Sequence, residues 1–206
     1  MKEYFVRHGQ TKYNVLQAHQ PENAELSKLG INQAKILAKR FSKIPIDIIY
    51  SSPMKRTKQT VEIINKSLKK EIIYSDLLKE RKHPSEFIGK RTDSPEILEI
   101  NKIRNLHEKD PFWHYSDEEN FFEFKERIKK FFNILSKTKE ENILVVAHGG
   151  PINMMIFLMM DDNFPPQVFY KFSDLFKLDN TGITLCEKDK KGIWLLKVYN
   201  DRSHLG

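Results

Sequence analysis

Apolar residues along this chain follow two rhythms, short continuous runs and stripes spaced three and four apart, and the two alternate. Tyr4-Phe5-Val6 is a run with the size and composition of a buried strand. After Asn14 a polar loop runs to about Glu25, with Pro21 in it. Ser27 suits a helix N-cap, and Ala34, Leu37, Ala38 and Phe41 fall on one stripe of a helix to Lys43, closed by Pro45. Ile46 to Tyr50 reads as a second strand. Ser52 then suits an N-cap and Pro53 a first helical position, and Val61, Ile64 and Leu68 continue a helix to about Lys70. Glu71 to Ser75 reads as a third strand, with Glu80 in the loop after it. Lys82 to Arg91 reads as loop, and Pro95 to His107 as a helix with Ile97, Ile100 and Ile103 inward. Phe121, Phe124, Ile128, Phe131, Phe132 and Leu135 form a helical stripe, read as core packing and not as an aromatic ligand box. Ile143 to Ala147 is apolar throughout, as a central parallel strand is. An apolar helix to Met160 follows it. Gly182 to Glu187 and Ile193 to Tyr199 read as a closing strand pair around the turn Asp189-Lys190-Lys191-Gly192.

Alternation of strand and helix predicts an α/β fold: a three-layer sandwich with a mostly parallel central sheet and helices on both faces. The 206 residues suit a single domain, with 81–120 as a cap insertion over the C-terminal strand edge. In such sheets ligands sit beyond the carboxyl ends of the strands. The polar groups that could carry chemistry gather there. Arg7-His8 follows the first strand, Ser51-Ser52-Pro53 with Arg56 the second, Glu80 the third, and His148-Gly149 the best one. Two helices, after Ser52 and after Gly150, would aim their N-termini at the same edge, which favours an anion.

Composition narrows the classes. Hydrophobic content of 39% and charged content of 31% describe a soluble, polar globule. The net charge of +7 suits nucleic acid or any anionic ligand. Its lysines, however, are interleaved with acids, as in Lys137-Thr138-Lys139-Glu140-Glu141, which fits a solvated helix face better than a nucleic-acid stripe. The one cysteine, Cys186, permits no intrachain disulfide. No signal peptide is visible, and the run Ile152 to Met160 is too short to span a bilayer. The expectation is a cytoplasmic protein, monomer or homodimer, that binds neither nucleic acid nor membrane.

Arg7-His8-Gly9 brings together a bidentate phosphate donor, an imidazole that can be nucleophile, acid or base, and a backbone point that lets a ligand approach. Taken alone, the tripeptide reads equally as a surface pair in a turn. Five segments in order change that. Arg7-His8-Gly9-Gln10-Thr11 with Asn14, Leu26-Ser27-Lys28-Leu29-Gly30 with Gln33-Ala34, Ser51-Ser52-Pro53-Met54-Lys55-Arg56 with Gln59-Thr60, Val146-Ala147-His148-Gly149-Gly150, and the closing Asn180-Thr181-Gly182 and Asn200 to Leu205 stretches resemble the histidine phosphatase superfamily. That family holds the cofactor-dependent phosphoglycerate mutases and many phosphatases, and the closing segments resemble its phosphatase branch.

The resemblance implies a phosphomonoesterase that needs neither metal nor cofactor and acts on a small phosphorylated substrate. His8 would become a phosphohistidine. Arg7, Arg56, Asn14 and His148, with Gly149, would hold the phosphoryl oxygens. Glu80 would protonate the leaving alkoxide and then activate water. The stretch after it, Arg81-Lys82-His83-Pro84-Ser85-Glu86-Phe87-Ile88-Gly89, departs from the Gly-x-Trp-Glu-Gly-like pattern of relatives and leaves Glu86 as a rival acid. Three other readings compete: a phosphoglycerate mutase, a phospho-ligand-binding regulatory protein with little catalysis, and a metal hydrolase built on His8, His148 and Glu80. His19, His107, His114 and His204 read as surface residues, as does His83, which alone of these could line the pocket. Phe112, Trp113 and Tyr115 suit either the organic part of a substrate or packing of the cap.

Overall fold

The computed structural model describes residues 1–206. Six strands form one sheet: β1 (Lys2–Arg7), β2 (Ile48–Ser51), β3 (Ile72–Tyr74), β4 (Asn142–Ala147), β5 (Ile183–Lys188) and β6 (Trp194–Asp201), in the order β3-β2-β4-β1-β5-β6. β3, β2, β4 and β1 run parallel, while β5 is antiparallel to β1 and β6 to β5. β4 lies inside the parallel set, between β2 and β1, which is why it is apolar on both faces.

The helices are α1 (Lys12–Leu16), α2 (Lys28–Phe41), α3 (Lys55–Leu68), α4 (Pro95–Leu106), α5 (Phe121–Lys137), α6 (Gly149–Met160) and α7 (Pro166–Leu175). Strand side chains alternate between two cores, as the two-residue period requires. Phe5, Ile143, Val145 and Ala147 pack with α5, α6 and Phe169 of α7. Val6, Leu144 and Val146 pack with Leu37 and Phe41 of α2 and with Val61 and Ile64 of α3. The fold is the three-layer α/β sandwich that the pattern predicts.

On α5 the stripe Phe121, Phe124, Ile128, Phe131 and Leu135 is buried, at roughly 1.5–3 kcal/mol per fully buried side chain. A capping box starts that helix: Asn120 accepts from Glu123 N at 2.8 Å, and Glu123 accepts from Asn120 N at 3.1 Å.

Four elements differ from the pattern. α1 runs into the start of the predicted loop; Thr11 caps it and Asn14 returns the hydrogen bond, a short capping box with no apolar stripe to announce it. α3 starts at Lys55, because Ser52 makes no helix cap and turns its hydroxyl elsewhere. α7 lay outside the predicted elements, although Pro166 at its start and Phe169 and Phe172 three apart mark a helix. On α4 only Ile97 of the predicted inward stripe is fully buried; Ile100 is half-buried and Ile103 is 46% exposed.

The segment after Glu80 rises beside the C-terminal edge of the sheet. It carries a 3₁₀ turn at Ser85–Phe87 and then α4. Backbone hydrogen bonds tie it to the stretch after α1: His19 N to Lys90 O at 3.0 Å, Gly89 N to His19 O at 2.9 Å and Thr92 N to Gln17 O at 2.8 Å. Phe87 is fully buried beneath it.

Candidate active site

Arg7 ends β1 and His8 follows it, so both leave the sheet at its C-terminal edge. His8 is 2% exposed. Its Nδ1 lies 2.8 Å from the carbonyl of Gly9. A carbonyl can only accept, so Nδ1 carries the proton and Nε2 presents a lone pair. Arg56 Nε donates to that Nε2 at 3.2 Å. Burial, with Arg56 and Arg7 nearby, holds the His8 pKa well below the usual histidine value. The ring is therefore neutral at pH 7.

The loop that carries His8 is fixed from three sides. Gly9 N donates to Thr60 Oγ1 at 3.1 Å, and Thr60 donates to Arg56 O at 2.7 Å. A Cβ on Gly9 would lie 2.7 Å from Gly30 O, so only glycine lets α2 approach this closely. Asn180 Nδ2 donates to His8 O at 2.9 Å. Thr181 is buried at φ 60, uncommon for a β-branched residue, and its N–H bonds back to Arg7 O at 3.0 Å. Thr60 and Asn180 belong to the segments that carry the family resemblance, yet nothing local in the sequence assigned them a task.

His148 ends β4 and starts α6. It is fully buried, and its ring centroid lies 5.2 Å from that of His8. Its Nε2 is 2.9 Å from Ser52 Oγ, which already accepts from Met54 N at 3.3 Å. That hydroxyl has no other acceptor in reach, so its hydrogen points to Nε2 and leaves the imidazole proton on Nδ1. That Nδ1 is buried with no partner. Burial, then the charges of Arg56, His8 and Arg7, lowers the His148 pKa well below the usual value.

Arg7 donates to Leu178 O, and Arg56 donates to Pro21 O at 3.1 Å; neither has a carboxylate within ion-pair distance. Burial lowers both arginine pKa values, that of Arg56 to about 10, and the charge of Glu80 opposes the shift in each. Glu80 Oε1 accepts from Arg81 N at 3.0 Å. A Cβ on Gly150 would sit 2.5 Å from that oxygen, so glycine in the first turn of α6 leaves room for the carboxylate.

Arg7, His8, Arg56 and Glu80 line one cavity of about 990 Å³. His148 lies behind His8, out of the lining. Asn14 and Gly149 do not line the cavity either. The Asn14 Oδ1 is spent on Thr11 N at 2.9 Å and on Asn180 Nδ2 at 3.3 Å, so the side chain supports the His8 loop as well as capping α1. Glu86 is exposed in the 3₁₀ turn and lies off the cavity.

His19 and His114, read as surface residues, line the cavity, and so does His83, the one of these histidines expected there. His19 and His83 meet with ring centroids 4.7 Å apart over the buried Phe87. His204 is half-buried against Thr181 Oγ1 at 3.3 Å. His107 stacks on Trp113, Phe112 packs against Phe122 and Tyr115 against Phe87, and none of these aromatic residues lines the cavity.

A neutral buried imidazole, two arginines without counter-ions and a carboxylate across one opening make a site for a phosphoryl group. The model of the histidine phosphatase superfamily (branch 1) matches residues 4–202. A Schizosaccharomyces pombe protein named as a probable phosphatase is 30% identical over 213 residues, covering 100% of this chain and 95% of that one. Phosphoserine phosphatase 1 of Hydrogenobacter thermophilus is 27% identical over 210 residues, 100% of this chain and 95% of its own. The crystal structure of Entamoeba histolytica phosphoserine phosphatase in complex with 3-phosphoglyceric acid matches at a TM-score of 0.80 and 28% identity, covering 100% of this chain and 99% of that one. The chain belongs to branch 1 of the histidine phosphatase superfamily.

Proposed function

We propose that this protein hydrolyses phosphate monoesters through a phosphohistidine on His8. The observation that carries the reading is the state of that ring: buried, neutral, with Nδ1–H bound to Gly9 O and Nε2 beside the Arg56 guanidinium. In the first step Nε2 attacks phosphorus, the P–N bond forms and the P–O bond to the alcohol breaks. Arg7 and Arg56 carry the charge that gathers on the phosphoryl oxygens. Glu80 gives its proton to the leaving alkoxide. In the second step Glu80 takes a proton from water, the oxygen attacks phosphorus and the P–N bond breaks. His8 returns to its neutral form.

Residues 81–120 act as the cap, since the turn, His83 and the Ser116 to Glu119 stretch line the cavity above Glu80. Two arginines supply the positive charge that a metal would otherwise bring, and they would repel a cation. Activity is therefore expected to persist in excess chelator; loss that added zinc or magnesium restores would overturn this. A mutase would have to keep water from the phosphohistidine, and the relatives named above are phosphatases. No helix is long and apolar enough to cross a membrane.

The test is to trap the intermediate. Brief reaction with labelled p-nitrophenyl phosphate, followed by alkaline quench, should leave an acid-labile, base-stable label on the peptide containing His8. Turnover with no label on that peptide would refute the covalent route.

A further inference from the structure

Outside the phosphoryl corner, the cavity wall carries many charges and leaves none of its cations free. Lys79 is held by Glu22 at 3.3 Å and by Asp76 at 3.2 Å. Lys82 is held by Asp117 at 3.0 Å. Arg127 is held by Glu119 at 2.6 Å and also donates to the carbonyls of Leu77 and Lys79. Arg81 spends its donors on Glu119 O and Tyr170 OH, with Glu118 3.9 Å away. His19 and His83 add no charge at neutral pH, since burial lowers both pKa values. Of the 25 lining residues only three are hydrophobic. All four wall cations are therefore paired, and the six lining acids Glu22, Asp76, Asp117, Glu118, Glu119 and Glu123 leave the wall with no excess positive charge.

Building on the hydrolase reading, we infer that the substrate carries a single phosphoryl group on an alcohol that is polar and bears no net charge, as in the monophosphate of a sugar or polyol. A second phosphate or a lone carboxylate on the alcohol would need a free cation. It would find only cations already neutralised, and would have to break an ion pair to reach one. An apolar alcohol would bury its chain against hydrogen-bonding groups and leave them unsatisfied. A polyhydroxylated alcohol exchanges its water for those groups without breaking a pair.

The experiment compares glycerol 3-phosphate with 3-phosphoglycerate, which differ by a hydroxymethyl group against a carboxylate, and adds 2,3-bisphosphoglycerate and hexyl phosphate. Phosphate release from p-nitrophenyl phosphate runs alongside as the measure of the catalytic centre itself. The kcat/KM for glycerol 3-phosphate is expected to exceed that for each of the other three natural-type esters at least tenfold. Asp117→Asn leaves Lys82 without its acid, and Glu119→Gln does the same for Arg127. Each should narrow the ratio of glycerol 3-phosphate to 3-phosphoglycerate about threefold or more. Asp117 is the surface-exposed member, so its variant keeps the comparison readable if Glu119→Gln fails to fold. Ratios near one in the intact protein, with p-nitrophenyl phosphate turned over normally, would overturn the inference, and so would a ratio that neither variant moves. No turnover of p-nitrophenyl phosphate would overturn the hydrolase reading, and this inference with it.

Discussion

The two ends of the cavity hold the same kinds of side chain in opposite states. At the floor, Arg56 is buried and Arg7 half-buried, and neither has an acid within ion-pair distance. On the wall, Arg81, Lys79, Lys82 and Arg127 are each matched to acids or carbonyls. A buried unpaired cation is costly to hold. The fold keeps two unpaired cations side by side only at the C-terminal edge of the sheet, where a dianionic phosphoryl group would supply the missing charge. The wall needs no ligand to be stable. The difference separates groups poised to bind and react from groups that shape the space.

The largest expected effect is at the floor. His8→Ala should lower kcat by at least ~10⁴-fold, the size seen when a nucleophile is removed. Its melting temperature should stay close to that of the parent chain, since the ring serves no core cluster. Substantial remaining turnover would mean that Nε2 is not the attacking atom.

Glu80→Gln should slow an alkyl phosphate by about 10²–10⁴-fold and p-nitrophenyl phosphate far less in the cleavage step, because nitrophenolate leaves largely without a proton. Gly150→Ala should give the same pattern, since its methyl group would displace the carboxylate. Equal losses on both esters would remove Glu80 from the role of acid and redirect attention to Glu86. Arg56→Ala and Lys82→Ala set the comparison side by side. The first should cost about 10²–10³-fold in kcat/KM. The second should cost less than about fivefold, as an exposed ion pair does. Similar losses would erase the distinction between floor and wall.

A smaller effect concerns pH. Since burial and the arginines lower the His8 pKa, kcat/KM should hold steady as pH falls past 6.5 and decline only well below it. Removing the Arg56 charge takes away one cause of the shift. The acid limb of Arg56→Gln should therefore move upward. A limb at the ordinary histidine value in the parent chain would show that the ring is not held neutral.

The smallest effect lies at the other end of β1. Glu3 is fully buried with both carboxyl oxygens unpartnered, and burial pushes its pKa up to about 8. Here an unpaired group has no ligand to meet. Below pH 4.5 both folded and unfolded chains hold the proton, and stability is complete. Between 4.5 and 8 the unfolded chain loses the proton first, so stability falls as pH rises. Glu3→Gln should match the parent below pH 4.5 and exceed it by roughly 2–4 kcal/mol above pH 8. Urea denaturation at the two extremes reads this, and a constant difference across pH would show that Glu3 is charged in the folded chain.

Much of this was legible in the chain itself. The run Ile143 to Ala147 and the stripe from Phe121 to Leu135 declare their burial by period, because strand and helix geometry impose those periods whatever the neighbours. The placement of Arg7, Arg56, Glu80 and His148 after successive strands follows from the parallel topology that the alternation implies. Tertiary structure alone decided the rest. Ser52 turned from a helix cap to a partner of His148, since the hydroxyl found a nearer need across the sheet edge. Asn14 turned inward to Thr11 and Asn180. His19 turned to meet His83 at the cavity, two residues far apart in sequence brought together by the cap. Above all, which cations are paired could not be read from a net charge of +7. Pairing depends on distances between side chains of different elements, and these exist only once the chain has folded.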